Sequence, residues 1–397
     1  MRWTLLLALL PTLAFAQSSV QSTTPRPEDF GTITGHITCA DTQRPARFAQ
    51  VSLVAIRTSD INTDYQRPFS QRDIHTDLTG GYIISEVQPG QYYLVVDLAG
   101  YATPLSQFTP DELNSPTPAI QQRIQRELQV VTITPNATLQ ADATIHRGGS
   151  ITGRIMYDDG SPLITTNVLL LRRDSSGKFR NPVRNSVFTD SHGEFTIESL
   201  SPGEYILQIK LIATEQRMLS VTNGDGKARK MFMAVLVSSL PIYSGNVFQQ
   251  RDATILKVEA GQETDGVDLT IPLGRLHEIS GTLLAKDGHV INDGKVALLF
   301  ADTQEELTSV RVQDNGIFHL AYVPEGNYVL TATNVHDIVL DEEPDSPTPS
   351  SPTHPVRRTT HTYGDLQQPL TVQTSDQSLN LTLPDSPAPP NNSTDDN

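Results

Sequence analysis

The sequence predicts an all-β chain of three tandem sandwiches, on three observations. A turn-and-strand stretch is written three times, as VQPGQYYLVVDLAGY at 87–101, LSPGEYILQIKLIAT at 200–214 and VPEGNYVLTATNVHD at 323–337. Glycines register the copies at periods of 118 and 128 residues, from Gly35 to Gly153 to Gly281. Those are domain lengths, not solenoid lengths. Short alternating strands with turn signals at close intervals fill each copy, and only one stretch has a convincing helical period.

Each repeat opens with a strand of one pattern, GTITGHITCAD at 31–41, GSITGRIMYDD at 149–159 and HEISGTLLAKD at 277–287, in which an aspartate (Asp41, Asp159, Asp287) follows the central glycine by six. A second strand follows, AQVSLVAI at 49–56, NVLLLRR at 167–173 and KVALLFA at 295–301. The third strand is introduced by a turn. There Gly80, Gly193 and Gly316 precede Tyr82, Phe195 and Phe318 by two and stand ten residues before Gly90, Gly203 and Gly326. Three equal spacings mean a hairpin of one geometry, because a slip of one residue turns every side chain to the other face. A closing strand ends each repeat, at 138–148, 264–274 and 377–386, and about four residues then lead to the next opening strand, so the repeats should abut closely.

Between the turn strand and the closing strand the copies differ, at 103–130, 213–253 and 341–358. The first insertion carries the one helix, expected over 117–131 with Ile120, Ile124, Leu128 and Val131 on a stripe. The third and the tail read as disordered from their Pro, Ser and Asp content. Equivalent loops on a repeated scaffold are where binding specificity is expected.

The ends and the composition bound the setting. Arg2, the apolar run Leu5–Phe15 and the small residues Ala14 and Ala16 read as a secretory signal peptide over 1–16. No later run reaches about 18 apolar residues, so no membrane span is expected. The formal net charge is −16, a poor match to nucleic acid or anionic lipid. Cys39 is the single cysteine, so stability must come from packing.

No motif for catalysis stands out. The ten histidines lack metal-ligand spacing, and neither HExxH, GxSxG nor GxxxxGK[ST] occurs. Asp77, Asp190 and Asp314 read as turn caps, since calcium needs about six to eight oxygens and each turn offers one or two carboxylates. Asp314 stands one position out of register with the others. Tyr92, Tyr205 and Tyr328 read as core or as braces at a strand end. The only tryptophan, Trp3, lies in the leader, so a sugar-stacking face must use tyrosine or phenylalanine. Tyr65, Phe69, Tyr101 and Tyr243 are the candidates outside the repeated core, with Tyr65, Tyr101 and Tyr243 taken as ligand contacts.

The pattern IxGxI…D…P…VxL…TDxxGxYxIxxVxPGxYxLxVxxxGY resembles the carboxypeptidase regulatory-like domain. The first repeat matches through Ile33, Gly35, Ile37, Asp41, Pro45, Val51, Leu53, Asp77, Gly80, Tyr82, Pro89, Gly90, Tyr92, Gly100 and Tyr101. The second repeat keeps Gly153, Asp159, Pro162, Asp190, Gly193, Pro202, Gly203 and Tyr205 without the final GY, and the third has VPEG in place of PG. The resemblance implies prealbumin-like, Ig-like Greek-key β-sandwiches, grouped with carbohydrate-binding-like folds and found in strings in exported bacterial proteins. It transfers a fold and no catalytic site. Collagen-adhesin repeats with Lys–Asn isopeptide bonds are set aside, because the opening strands of the first two repeats have no lysine and Lys286 ends the third without an evident partner. Hydroxyisourate hydrolases of the prealbumin type end in Tyr-Arg-Gly-Ser, which this chain lacks.

The expected organisation is a signal peptide 1–16, a linker 17–30, domains at 31–147, 148–275 and 276–385 with a disordered loop 341–358, and a disordered tail 386–397. The expected role is a secreted or periplasmic non-enzymatic binding or spacer protein without cofactor or metal. A polysaccharide or a cell-surface protein is its expected partner. The alternatives are an accessory subunit that positions or regulates a separate exported hydrolase, and an enzyme whose site lies in the second insertion; Lys227, Arg229 and Lys230 are the residues by which that insertion is tested as a contact surface.

Overall fold

The computed structural model describes residues 29–56, 74–114, 116–182, 186–222, 228–344 and 353–386. The expected leader, the end of the tail, Tyr65, Phe69 and Lys227 lie outside them. The chain divides into two compact units, one drawn from Met1–Thr38, Arg44–Val96 and Leu128–Thr144, the other from Cys39–Gln43, Asp97–Glu127 and Ile145–Asn397.

Strands dominate, and one topology recurs. In the first repeat the opening strand Gly31–Cys39 lies between Gly81–Val87, antiparallel, and the closing strand Thr138–Gln140, parallel. A second sheet runs Ile74–His75, Gln50–Ala55, Gly90–Asp97 and Gln129–Ile133. The second unit repeats the scheme twice. Gly149–Tyr157 lies between Glu194–Leu200 and the closing strands Glu263–Thr264 and Leu269–Ile271. Leu276–Leu284 lies between Ile317–Pro324 and Gln377–Thr382. Their companion sheets are built around Asn167–Arg173 with Gly203–Thr222, and around Asp293–Phe300 with Gly326–Pro344.

The glycine and aromatic spacing has a steric cause. Gly35, Gly153 and Gly281 sit opposite Tyr82, Phe195 and Phe318 in the antiparallel register. A Cβ at each would stand 2.0 Å from the carbonyl oxygen of Ala141, Val267 or Leu379, in or beside the closing strands. Only a bare backbone lets that strand come so close, and the ring across the ladder covers the gap. Gly80, Gly193 and Gly316 take φ of +78°, +75° and +74°, the left-handed region the turn requires.

The aspartates cap the turns where the register places them. Asp77 Oδ1 accepts from the backbone N–H groups of Thr79 and Gly81, at 2.7 and 2.8 Å, and Asp190 Oδ1 from those of His192 and Glu194, both at 2.8 Å. These bonds hold the Asp77 carboxyl below the usual carboxylate range, led by the Thr79 hydroxyl, and that of Asp190, led by the Glu194 amide. In the third repeat the equivalent backbone position is Gln313, whose N–H meets the Ile317 carbonyl at 2.9 Å. Asp314 is therefore outside the capping position. Tyr92, Tyr205 and Tyr328 each brace a strand end, the phenol donating to the carbonyl of Gln88, Ser201 or Pro324 four residues earlier, at 2.9, 2.6 and 2.9 Å.

The divergent segments correct two expectations. Where one helix is expected over 117–131, the first insertion has two, Pro110–Asn114 and Pro118–Glu127. Gln129–Ile133 is a strand that pairs with Gly90–Leu94, because the β-branched run Val130–Ile133 gains more from a sheet edge than from a helix that crowds its χ1. Of the segment 341–358, expected to be disordered, residues 341–344 and 353–358 are strand, with Asp341 opposite Val356 and Pro344 opposite Thr353, while 345–352 lie outside the described residues.

The second insertion is also a hairpin, Gly203–Thr222 with Ala228–Tyr243. Its base joins the two repeats of the second unit. Ser238, buried, bonds the carbonyl of Ala321 at 3.0 Å and meets the Thr308 hydroxyl at 3.1 Å. One apolar cluster runs from Ile151 through Leu240 and Ile242 to Leu383. Cys39 is buried and unpaired.

Candidate functional site

The two described tyrosines taken as ligand contacts, Tyr101 and Tyr243, are interior. Tyr101 is 7% exposed; its phenol donates to Asp41 Oδ1 at 3.0 Å, while Arg147 lies over the ring and donates from Nε to Asp41 Oδ2 at 2.7 Å. A hydrogen bond with Cys39, then burial and Asp41, push the Tyr101 phenol up to about 12. Tyr243 is 8% exposed and its hydroxyl accepts from Gln208 Nε2 at 2.9 Å. Both rings are locked by packing, and neither offers a face to a sugar. Lys286 forms an exposed ion pair with Asp385 at 2.7 Å.

A groove in the second unit gathers other aromatics. Tyr157 ends the opening strand Gly149–Tyr157. Phe188 ends Ser186–Phe188 directly opposite Asn167 and is 66% exposed. Lys210 and Ile212 stand on the outward alternation of Gly203–Thr222, whose inward positions Ile209 and Leu211 are buried. Tyr322 comes from Ile317–Pro324 at a bulge with φ +59°, the position that Glu86 and Ser199 hold in the other repeats at +58° and +62°. A bulge re-aims the side chain it carries; only in the third repeat is that side chain aromatic.

Together Tyr157, Phe188 and Tyr322, with Thr166, Asn167 and Lys210, line a groove of about 410 Å³. Thr189 ties two of its lining residues, Leu163 and Thr166, together. It is buried, its hydroxyl donates to the Leu163 carbonyl at 2.7 Å and accepts from the Thr166 N–H at 2.9 Å. Burial, with Tyr322 and Asp159 nearby, raises the Tyr157 phenol above its ordinary value, so it stays a neutral donor at physiological pH. Ring faces, hydroxyls, an amide and one ammonium can bind a hydroxylated, partly apolar ligand. No group there is poised as a nucleophile with a base. Among the described residues no group of three or more His, Cys, Asp or Glu side chains is placed to hold a metal ion, and no helix is long and apolar enough to cross a membrane.

Tyr157 and Tyr322 belong to repeated strands and so read as frame, and Phe188 falls between the strands legible in the sequence. The available signal was an aromatic where its copies have none: Tyr322 in place of Glu86 and Ser199.

No protein-family model matches the chain, and no curated protein matches it. Among solved structures it is similar to the Bacillus anthracis TIE protein, at 10% identity and TM-score 0.20 over 90% of this chain and 51% of that one, so it spans about half that protein's length. The major pilin subunit of Bacillus cereus is similar at 11% identity and TM-score 0.21, covering 90% of this chain and all of that one, 100%. A Streptococcal ancillary pilin follows at 11% identity and TM-score 0.26, over 90% and 99%.

Proposed function

We propose that this chain is an exported, non-catalytic binding protein whose tandem sandwiches are of the carboxypeptidase regulatory-like type, and that the Tyr157–Phe188–Tyr322 groove holds a polysaccharide. The groove itself carries the reading. Pyranose C–H faces stack on aromatic rings while their hydroxyls seek the amide, hydroxyl and ammonium groups that alternate with those rings. The repeated frame supplies rigidity: strands, and not loops, position every ring.

The test is binding of the purified chain to a glycan array and to cell-wall polysaccharides by co-sedimentation. Phe188→Ala is the informative variant, since the ring is exposed and supports no core. Loss of one stacked ring should weaken binding about tenfold. Binding unchanged in Phe188→Ala, Tyr157→Ala and Tyr322→Ala would remove the groove from consideration. Absence of glycan binding, with an envelope protein crosslinked at the groove, would favour the accessory-subunit role instead.

A further inference from the structure

In the third repeat a turn is tied to the long hairpin by a titratable side chain. The turn Ala285–His289 is closed by the Ala285 N–H to the His289 carbonyl at 2.9 Å and the Gly288 N–H to the Ala285 carbonyl at 3.0 Å. Its histidine reaches out with both ring nitrogens. His289 Nδ1 meets Asp287 Oδ1 at 2.6 Å, and Nε2 meets Asp337 Oδ2 at 3.1 Å. Asp337 lies on Gly326–Pro344 where the hairpin register shifts. Tyr363, just beyond the return strand Thr353–Thr362, donates to the same Asp337 oxygen at 2.6 Å and approaches His289 Nε2 at 2.8 Å.

We infer that Asp287, His289, Asp337 and Tyr363 form a pH-dependent clamp that fastens the base of the hairpin Gly326–Pro344/Thr353–Thr362 to the 285–289 turn. A carboxylate at each ring nitrogen asks for a proton on both, and only the imidazolium supplies two. A neutral ring leaves one carboxylate facing a lone pair, and that contact turns repulsive. The phenol has one proton for two acceptors: turned to the bare Nε2 it leaves Asp337, so one hydrogen bond of the clamp is lost either way.

Other charged groups around the clamp do not cancel this. His361 contacts the Tyr363 ring edge-on, with centroids 4.6 Å apart. Lys286 is taken by Asp385, and His336 points to the Thr362 hydroxyl at 3.1 Å. The hydrogen bonds to Asp337 and then Asp287 raise the His289 imidazole above its ordinary value. The folded chain thus holds this proton more tightly than the unfolded chain does. The clamp is complete below the ordinary imidazole range and is lost as pH rises through the raised value. At the acid end the His289 amide and ring hold the Asp287 carboxyl below the usual carboxylate range, so that contact persists until pH falls through its lowered value. A second tie beside it does not titrate: Asn292 exchanges two hydrogen bonds of 2.8 Å with the Ile338 backbone. The hairpin base therefore loosens without detaching. Asn334 and His336 on the clamp's own strand line a polar cleft of about 490 Å³ with Asp293, Lys295 and Arg311, so the clamped strand is also a wall of that cleft.

The experiment is a titration of the full chain by NMR, following the His289 ring proton together with amide exchange of Tyr363 and Gly364, whose N–H groups bond Val335 and Pro384. Exchange is normalised to amides of the Gly203–Thr222 hairpin. From about pH 5 to about pH 9 the normalised exchange should rise severalfold, with its midpoint at the His289 titration and above the free imidazole value. His289→Gln keeps amide hydrogen bonding without a titrating group and should give a flat profile. Asp337→Asn should bring the His289 midpoint down towards the free value. A His289 midpoint at or below the free imidazole, or the same exchange profile in His289→Gln, would overturn the clamp.

Discussion

Two long hairpins grow from the same place in neighbouring repeats and root in one apolar cluster, but only the second adds a titratable tie. Gly203–Thr222/Ala228–Tyr243 is anchored by apolar packing, with Leu240 and Ile242 inside the cluster that runs through both repeats of the second unit. Gly326–Pro344/Thr353–Thr362 also buries Leu330 and Val335 in that cluster, and carries in addition polar ties at its base, the Asn292 amide and the His289 imidazole. An apolar anchor is insensitive to pH and costs most when truncated. A polar anchor is weaker per contact in water, yet it is directional and, where it titrates, adjustable. The same insertion point can thus carry a strut between repeats or a tie that responds to its surroundings.

The largest effect should come from the apolar anchor. Leu240→Ala should lower unfolding free energy by about 2–5 kcal/mol in denaturant titration, the range for emptying a packed leucine site. A loss below about 1 kcal/mol would mean the hairpin base is not the joint described. Next is the frame both hairpins share. Gly153→Ala should cost about 1–3 kcal/mol through overpacking against the Val267 carbonyl. Gly274→Ala, where a Cβ meets nothing within 4 Å, should be near neutral in the same assay. For the polar tie, Asn292→Ala should cost about 1–3 kcal/mol by leaving the Ile338 N–H and carbonyl unpaired, read as faster exchange at the hairpin base with the other hairpin unchanged. Smallest is the turn pair. Asp190→Ala should lower the denaturant midpoint slightly, while Asp314→Ala leaves it unchanged, because only the first caps a turn.

Much of the frame was legible from spacing. The ten-residue interval from Gly80 to Gly90 and its two copies marks a hairpin because both ends need left-handed or turn geometry. The pairing of Gly35 with Tyr82 follows from strand alternation once the hairpin is drawn. The one-residue offset of Asp314 also proved informative, since its repeat leaves the cap position to Gln313. The helix end was misplaced because Leu128 and Val131 continue a helical stripe; the edge of the Gly90–Asp97 strand claims Gln129–Ile133 instead, and helical period carries no information about an unpaired sheet edge. Tyr101 and Tyr243 were chosen for lying off the repeated pattern. Off-pattern aromatics in a chain without core tryptophan are needed to close the interior, and that is where both went.

Local sterics and the period of two wrote three copies of a sandwich frame into the order of residues, because a glycine beneath a crossing strand or a left-handed turn has few substitutes and leaves a fixed interval behind. Which aromatic faces outward, which insertion becomes a strut, and which histidine meets two carboxylates depend on contacts between residues far apart in the chain. Tyr157 and Tyr322, or Asp287 and Asp337, are brought together by sheet register and packing, and no short window of sequence contains both partners.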